Sequence, residues 1–160
     1  MSFIYHLAIL GAPSAEQVSE LETAVTDAVS GFGLRLGQEI GWEVVPADFT
    51  PQQRRSAAVV FFGGVDADHP SLPSLLRGGV PVVPVVPDLG RVAMEVPEIL
   101  RPLNCMSYAN GGAKRVATAL LECAGLLPKQ RRVFVSYRRD EASQAALQML
   151  LAKMAPRLKR

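Results

Sequence analysis

Cysteine is scarce in this chain: Cys105 and Cys123 are the only two. Their separation matches no zinc-ligand spacing, and the two histidines, His6 and His69, do not complete one. A disulfide framework and a structural zinc are therefore not expected; two reduced, partly buried thiols are. Long apolar runs are missing too. None approaches the roughly 20 residues that a membrane span needs. The first ten residues have no basic start, and their apolar run is short and broken by His6. No membrane association is expected, and the cytoplasm is the expected location. The glycine-rich GxGxxG and Walker patterns are absent, as is a GxSxG nucleophile elbow. There is no short-period repeat and no low-complexity tract.

What is present suits a globular α/β chain. Of its 160 residues, 49% are hydrophobic and 20% charged, enough apolar material to bury a core without metals or disulfides. Net charge is only +2 but is unevenly spread. Residues 1–128 carry 8 Lys/Arg against 13 Asp/Glu, whereas residues 129–160 carry 9 against 2. A basic tail on an acidic body could meet nucleic acid or anionic lipid, and could equally dock on its own body or on a neighbour's. Nucleic acid is not expected as a partner. The only aromatics among the tail's charges, Phe134 and Tyr137, belong to a strand pattern.

Residues 4–10 form an apolar run stopped by Gly11-Ala12-Pro13-Ser14, which predicts a first strand. Ser14 with Gln17 three residues later is a capping-box pattern. Val18, Leu21, Val25 and Val29, with Ala24 and Ala28 on the same stripe, then predict a helix over 15–30. Further strands are predicted over 42–46, 57–62, 80–86 and 104–108, with a short helical turn over 50–55 and a helix over 113–124. Residues 57–62 are apolar without alternation, as in a strand covered on both faces. Pro81 and Pro84 require irregular or one-sided pairing in the 80–86 strand. After a connector at 128–130 come a strand over 132–137 and a helix over 142–155. Strands alternating with helices or helix-length loops argue for parallel pairing. The expected fold is α/β and flavodoxin-like: a mainly parallel five-stranded sheet of order 2-1-3-4-5, helices on both faces, then a C-terminal βα unit. The expected division is residues 1–127 and 128–160.

Such sheets bind ligands at the strands' carboxyl ends, where the winding direction reverses. Here that crevice lies between the first and third strands. Gly11, Ala12, Pro13, Ser14, Gly63, Gly64 and Asp66 would line it, with Asp48 and Asp88 nearby. One reading is a nucleotide-like or phosphate ligand held at the helix start; the other is ordinary turn and cap chemistry. Phosphorelay is not expected, because Phe62-Gly63-Gly64 and Gly11-Ala12-Pro13 stand where a receiver domain needs carboxylates. Asp66-Ala67-Asp68-His69 offers metal-ligand chemistry but no distant third ligand, so a solvated loop is expected. His6, mid-strand, has no acid partner evident in the sequence and is expected to be a core or sheet-face histidine.

The stretch Arg131-Arg132-Val133-Phe134-Val135-Ser136-Tyr137-Arg138-Arg139-Asp140-Glu141-Ala142-Ser143 resembles the opening of a bacterial TIR (Toll/interleukin-1 receptor) domain. That opening is an apolar strand ending in Ser-Tyr, a charged loop and a first helix. Residues 1–127 resemble the same family in the order of their elements. In family members that hydrolyse NAD, a glutamate on the helix after the third strand does the work. The matching stretch here, 63–79, contains no glutamate. Arg138, Arg139 and Asp140 match the loop that helps form the family's nucleotide pocket. The resemblance implies a non-catalytic module for protein–protein interaction in a bacterial signalling or defence protein, with no cofactor. Its association surface would comprise Val133, Phe134, Val135 and Tyr137, the charged pair Arg138 and Arg139, and Leu147, Leu150 and Leu151 on the following helix. A protein partner or a homodimer is the expected assembly. The alternatives are a sensor of a nucleotide-like ligand at the strand 1/strand 3 crevice, or a fragment of an effector that consumes NAD or a related nucleotide. The apolar 132–137 strand could join its own sheet, pair with the same strand of a second molecule, or stay frayed as a piece of a longer protein.

Overall fold

The computed structural model describes residues 3–51, 56–109 and 111–128. The expected strand and helix beyond residue 128 lie outside those residues. So do Val133, Phe134, Val135, Tyr137, Arg138, Arg139, Leu147, Leu150 and Leu151, and most of the turn expected over 50–55.

The described chain is an α/β layer structure built on five parallel strands in the order β2-β1-β3-β4-β5. They are β1 (Tyr5–Gly11), β2 (Ile40–Val44), β3 (Ser56–Phe62), β4 (Val82–Val86) and β5 (Met106–Ser107). Helix α1 (Ala15–Ser30) joins β1 to β2, and α2 (Leu72–Arg77) joins β3 to β4. Helix α3 (Val92–Glu95) lies between β4 and β5, and α4 (Gly112–Cys123) follows β5. The parallel sheet and its strand order are those expected from the alternation of elements. No helix among the described residues is long and apolar enough to cross a membrane.

Strands β1 and β3 pair along their whole lengths, from Tyr5 with Ser56 to Gly11 with Phe62. Both send side chains into two cores, since successive residues point to opposite faces. Leu7, Ile9, Ala58 and Val60 pack with α1 and α4. Ala8, Leu10, Val59 and Phe61 pack with α2, Phe49, Val96 and Leu100. Residues 57–62 are buried throughout, as an unbroken apolar run in a central strand requires.

The first helix begins as its sequence dictates. The Ser14 hydroxyl accepts from the Gln17 amide at 3.1 Å, and the Gln17 side chain accepts from the Ser14 amide at 2.8 Å. Leu21, Val25 and Val29 are buried beneath it. Val18 is only half-buried and Ala28 is exposed, so the buried stripe is narrower than expected. On α4, Val116, Ala117, Leu120 and Leu121 are buried, and Ala124 just beyond the helix is buried with them.

Strand boundaries shift for local reasons. Strand β2 starts earlier and ends at Val44, because Val45 turns the chain with a φ of 41°. Strand β5 shrinks to two residues. Strand β4 resolves the proline problem. Pro81 and Val85 turn their carbonyls to β3, accepting from Val59 and Gly63. By the period of two, Pro84 faces the other way, toward β5. Pairing there begins only at Val85 with Met106, so the missing N–H of Pro84 costs no ladder bond.

The capping box makes a quantitative expectation possible. Ser14→Ala should lower stability by about 1 kcal/mol, read from urea midpoints at unchanged m-value.

Candidate functional site

At the carboxyl end of the sheet, the β1 and β3 exits lie against one another. Gly11 has a φ of 89°, and a Cβ built there would stand 2.2 Å from the Phe62 carbonyl oxygen. Only glycine fits that approach and that dihedral. The next residue, Ala12, donates its amide to the same oxygen at 2.9 Å. Gly63 donates to Val85 and Gly64 to Glu95, at 2.8 and 2.9 Å. A Cβ on Gly63 would meet the Glu95 carbonyl oxygen at 2.8 Å, and one on Gly64 would meet the Ala12 Cβ at 3.0 Å. Gly11, Gly63 and Gly64 are thus brought together as the crevice reading expected. Their glycine character serves close backbone packing, with the end of α3 laid over Gly63 and Gly64.

The remaining crevice candidates disperse. Ser14 is committed to its cap. Glu16 in the first turn of α1 adds negative charge where an anion would bind. Asp66 is exposed with a φ of 61°, and Asp88 accepts from the Gly90 amide to cap a 3-10 turn. Asp48 leaves the group altogether. Its carboxylate accepts from the hydroxyls of Ser71 at 2.9 Å and Thr50 at 3.0 Å. There it lines a cleft of about 530 Å³ with Ala57 and Pro81, at the opposite, amino end of β3 and β4.

One histidine departs from its expected setting, and the other lies on the sheet face with a partner that the sequence did not reveal. His69, expected in a solvated loop, is only 6% exposed. Its Nε2 lies 2.6 Å from the Pro46 carbonyl, and its Nδ1 lies 3.1 Å from the Ser71 amide nitrogen. Those partners assign the neutral tautomer with Nε2 protonated, donating to Pro46 and accepting from Ser71. The Ser71 hydroxyl accepts from the Phe49 amide and donates to Asp48. Serine, histidine and aspartate are therefore neighbours, but the hydroxyl faces the carboxylate rather than the imidazole. This network anchors the 46–49 connection and is not a nucleophile relay. No metal-holding cluster of His, Cys, Asp or Glu occurs among the described residues. His6 does have an acid partner: its Nε2 lies 2.6 Å from Glu43 Oε2, across the β1/β2 pair. Its ring also meets Phe49 edge-on at 4.7 Å.

Three polar groups escaped sequence reasoning. Glu95 is 8% exposed and ion-paired to Arg91 one turn earlier. The i, i+4 spacing of that pair was readable; its burial was not. Tyr108 donates to Glu20 at 2.8 Å and packs edge-on against Phe62. Burial pushes its phenol up from the ordinary range, and the bond to Glu20 and the charges of Glu20 and Glu16 add to the rise. Tyr108 stands in a cleft of about 810 Å³ between α1 and α4, where Ala24 and Ala117 accompany Glu20, Asp27 and Lys114. The third is Trp42, whose buried Nε1 has no partner among the described residues.

Strand β2 is one of the two edges of the sheet. Glu39 and Val45 bond inward to β1, so by alternation Gly41 and Glu43 do too, while Ile40, Trp42 and Val44 face outward. Ile40 is taken: its amide donates to Arg35 and its carbonyl accepts from Gly37. The outward amides and carbonyls of Trp42 and Val44 have no partner among the described residues. Val44 and Val45 are 42% and 43% exposed beside them.

Two outcomes follow from these contacts. Gly11→Ala should cost roughly 2–4 kcal/mol, because it adds a left-handed strain to a backbone collision; chemical denaturation measures it. A phenol whose folded pKa is raised stabilises the fold fully below the unfolded pKa of about 10 and loses that contribution as pH rises through the folded value. Wild-type stability should therefore fall more steeply above about pH 10 than that of Tyr108→Phe. Denaturant midpoints across alkaline pH test this, and equal slopes would contradict it.

No family model, no curated protein and no solved structure matches this chain.

Proposed function

We propose that this chain is a non-catalytic, TIR-like module for protein–protein association in a bacterial signalling or defence protein. The observation that carries the reading is the open edge of β2, where the outward groups of Trp42 and Val44 have no partner among the described residues and exposed valines lie beside them. An unpaired, partly apolar edge is a template for adding another chain. The Val133-Phe134-Val135-Ser136-Tyr137 motif supports the family resemblance, and the strand order is compatible with it.

A nucleotide-like sensor finds less support. The Glu95 carbonyl occupies the space beside Gly63 and Gly64, and Glu16 lies in the first turn of α1. NAD hydrolysis finds less still, because the stretch 63–79 holds no glutamate.

Two measurements test the proposal. Incubation with NAD should release no free nicotinamide; steady release would make the chain an enzyme. Light scattering at submillimolar concentration should give a mass above that of one chain. A single-chain mass would deprive the open edge of its role.

A further inference from the structure

We infer that the occupant of the β2 edge is a second copy of this chain, paired antiparallel, strand β2 to strand β2, about a twofold axis at Glu43. The inference rests on the association reading and gives it a partner and a register.

The edge is self-complementary in that register and poorly so in others. Trp42 and Val44 each offer an outward amide and an outward carbonyl, whereas those of Ile40 are already used. In an antiparallel ladder, a residue that faces the neighbour exchanges both of its bonds with one residue opposite. Setting Trp42 opposite the second copy's Val44 makes the reverse pair by symmetry. Every donor of the two strands that has no partner among the described residues then meets such an acceptor. Centring the axis on Trp42 would set Val44 against Ile40, which has nothing left to give.

The side chains agree with the bonds. Trp42 and Val44 share one face of β2, where Trp42 is half-buried against the α1/α4 core and Val44 is 42% exposed. The register lays each Val44 beside the other copy's indole, an aromatic–β-branched pair of the kind that stabilises sheets. On the opposite face, Glu43 meets its own copy across the axis. Like charges directly opposite are unfavourable. Each Glu43 already has His6 Nε2 at 2.6 Å, on the inner side of the pair. Isologous pairing through one patch closes as a dimer and does not propagate.

The register is open to a chemical test in the 160-residue chain. At the axis, Glu43 and its copy form a non-hydrogen-bonded pair, with Cα atoms about 4.5 Å apart. That lies within the roughly 4.4–6.8 Å span of disulfides. Glu43→Cys should cross-link two chains under mild oxidation, with the linkage mapped by peptide mass after non-reducing digestion. Val44→Cys should not, because its counterpart lies diagonally across the ladder. Val44→Pro removes an outward amide and none of the β1 pairing, so it should give a single-chain mass with circular dichroism like wild type. If Val44→Pro unfolds, the two cysteine variants decide alone. An associated wild type whose Glu43→Cys variant stays unlinked, or whose Val44→Cys variant links equally well, would overturn this interface and leave association standing. A wild type of single-chain mass would overturn both. Protection of the Trp42 and Val44 amides from hydrogen exchange in a single-chain species would assign the edge to another segment of the same chain, and would overturn the inference too.

Discussion

Strand β1 must satisfy two neighbours and two cores at once. Its backbone bonds alternate between β2 and β3, and its side chains alternate between the layer under α1 and α4 and the layer containing α2. Leu7, Ala8, Ile9 and Leu10 are wholly buried as a result. A strand in that position tolerates neither a polar side chain nor an unpaired amide through its centre. The polarity that β1 does carry, His6, sits near its start, where Glu43 and Phe49 receive it.

From that constraint the character of the two ends follows. Where β1 and β3 leave the sheet, their backbones must pass within contact distance, and Gly11, Gly63 and Gly64 allow it. The end of α3 then closes over the glycines, with the buried Glu95 carboxylate held by Arg91. The same crevice that holds ligands in other open sheets is here a place of backbone-to-backbone packing. The lateral edges differ again. On one side β5 is only two residues long, which limits what it exposes. On the other, β2 keeps an outward ladder at Trp42 and Val44, and the chain leaves it by a left-handed turn at Val45. A β-branched residue seldom occupies that region, so this exit from the strand is held by its surroundings.

The two connections on the α2 side are tied to each other rather than to the sheet alone. Pro46, Asp48 and Phe49 are bound through His69 and Ser71 at the start of α2. With its hydroxyl used in this way, Ser71 makes no side-chain cap for α2. A six-residue helix with a proline in its first turn depends on such tertiary support more than on its own propensity.

Several features were legible in the sequence because they are local. The capping box at Ser14 and Gln17, the stripe of Leu21, Val25 and Val29, and the unbroken apolar run of β3 each report burial or bonding within a few residues. Their alternation was enough for the parallel order of five strands. Helix α2 carries little local signal: it is six residues long with a proline in its first turn. Other contacts had no sequence signal at all. His6 meets Glu43 from 37 residues away, and Ser71 meets Asp48 from 23. Which way Pro84 faces, whether Glu95 is covered and which amides of β2 stay free depend on strand register and on what packs above. Local pattern dictates which faces must be hidden. Only the folded arrangement decides which groups from distant segments meet there, because a hydrogen bond across a sheet is set by register, and register is a property of two strands rather than of either one.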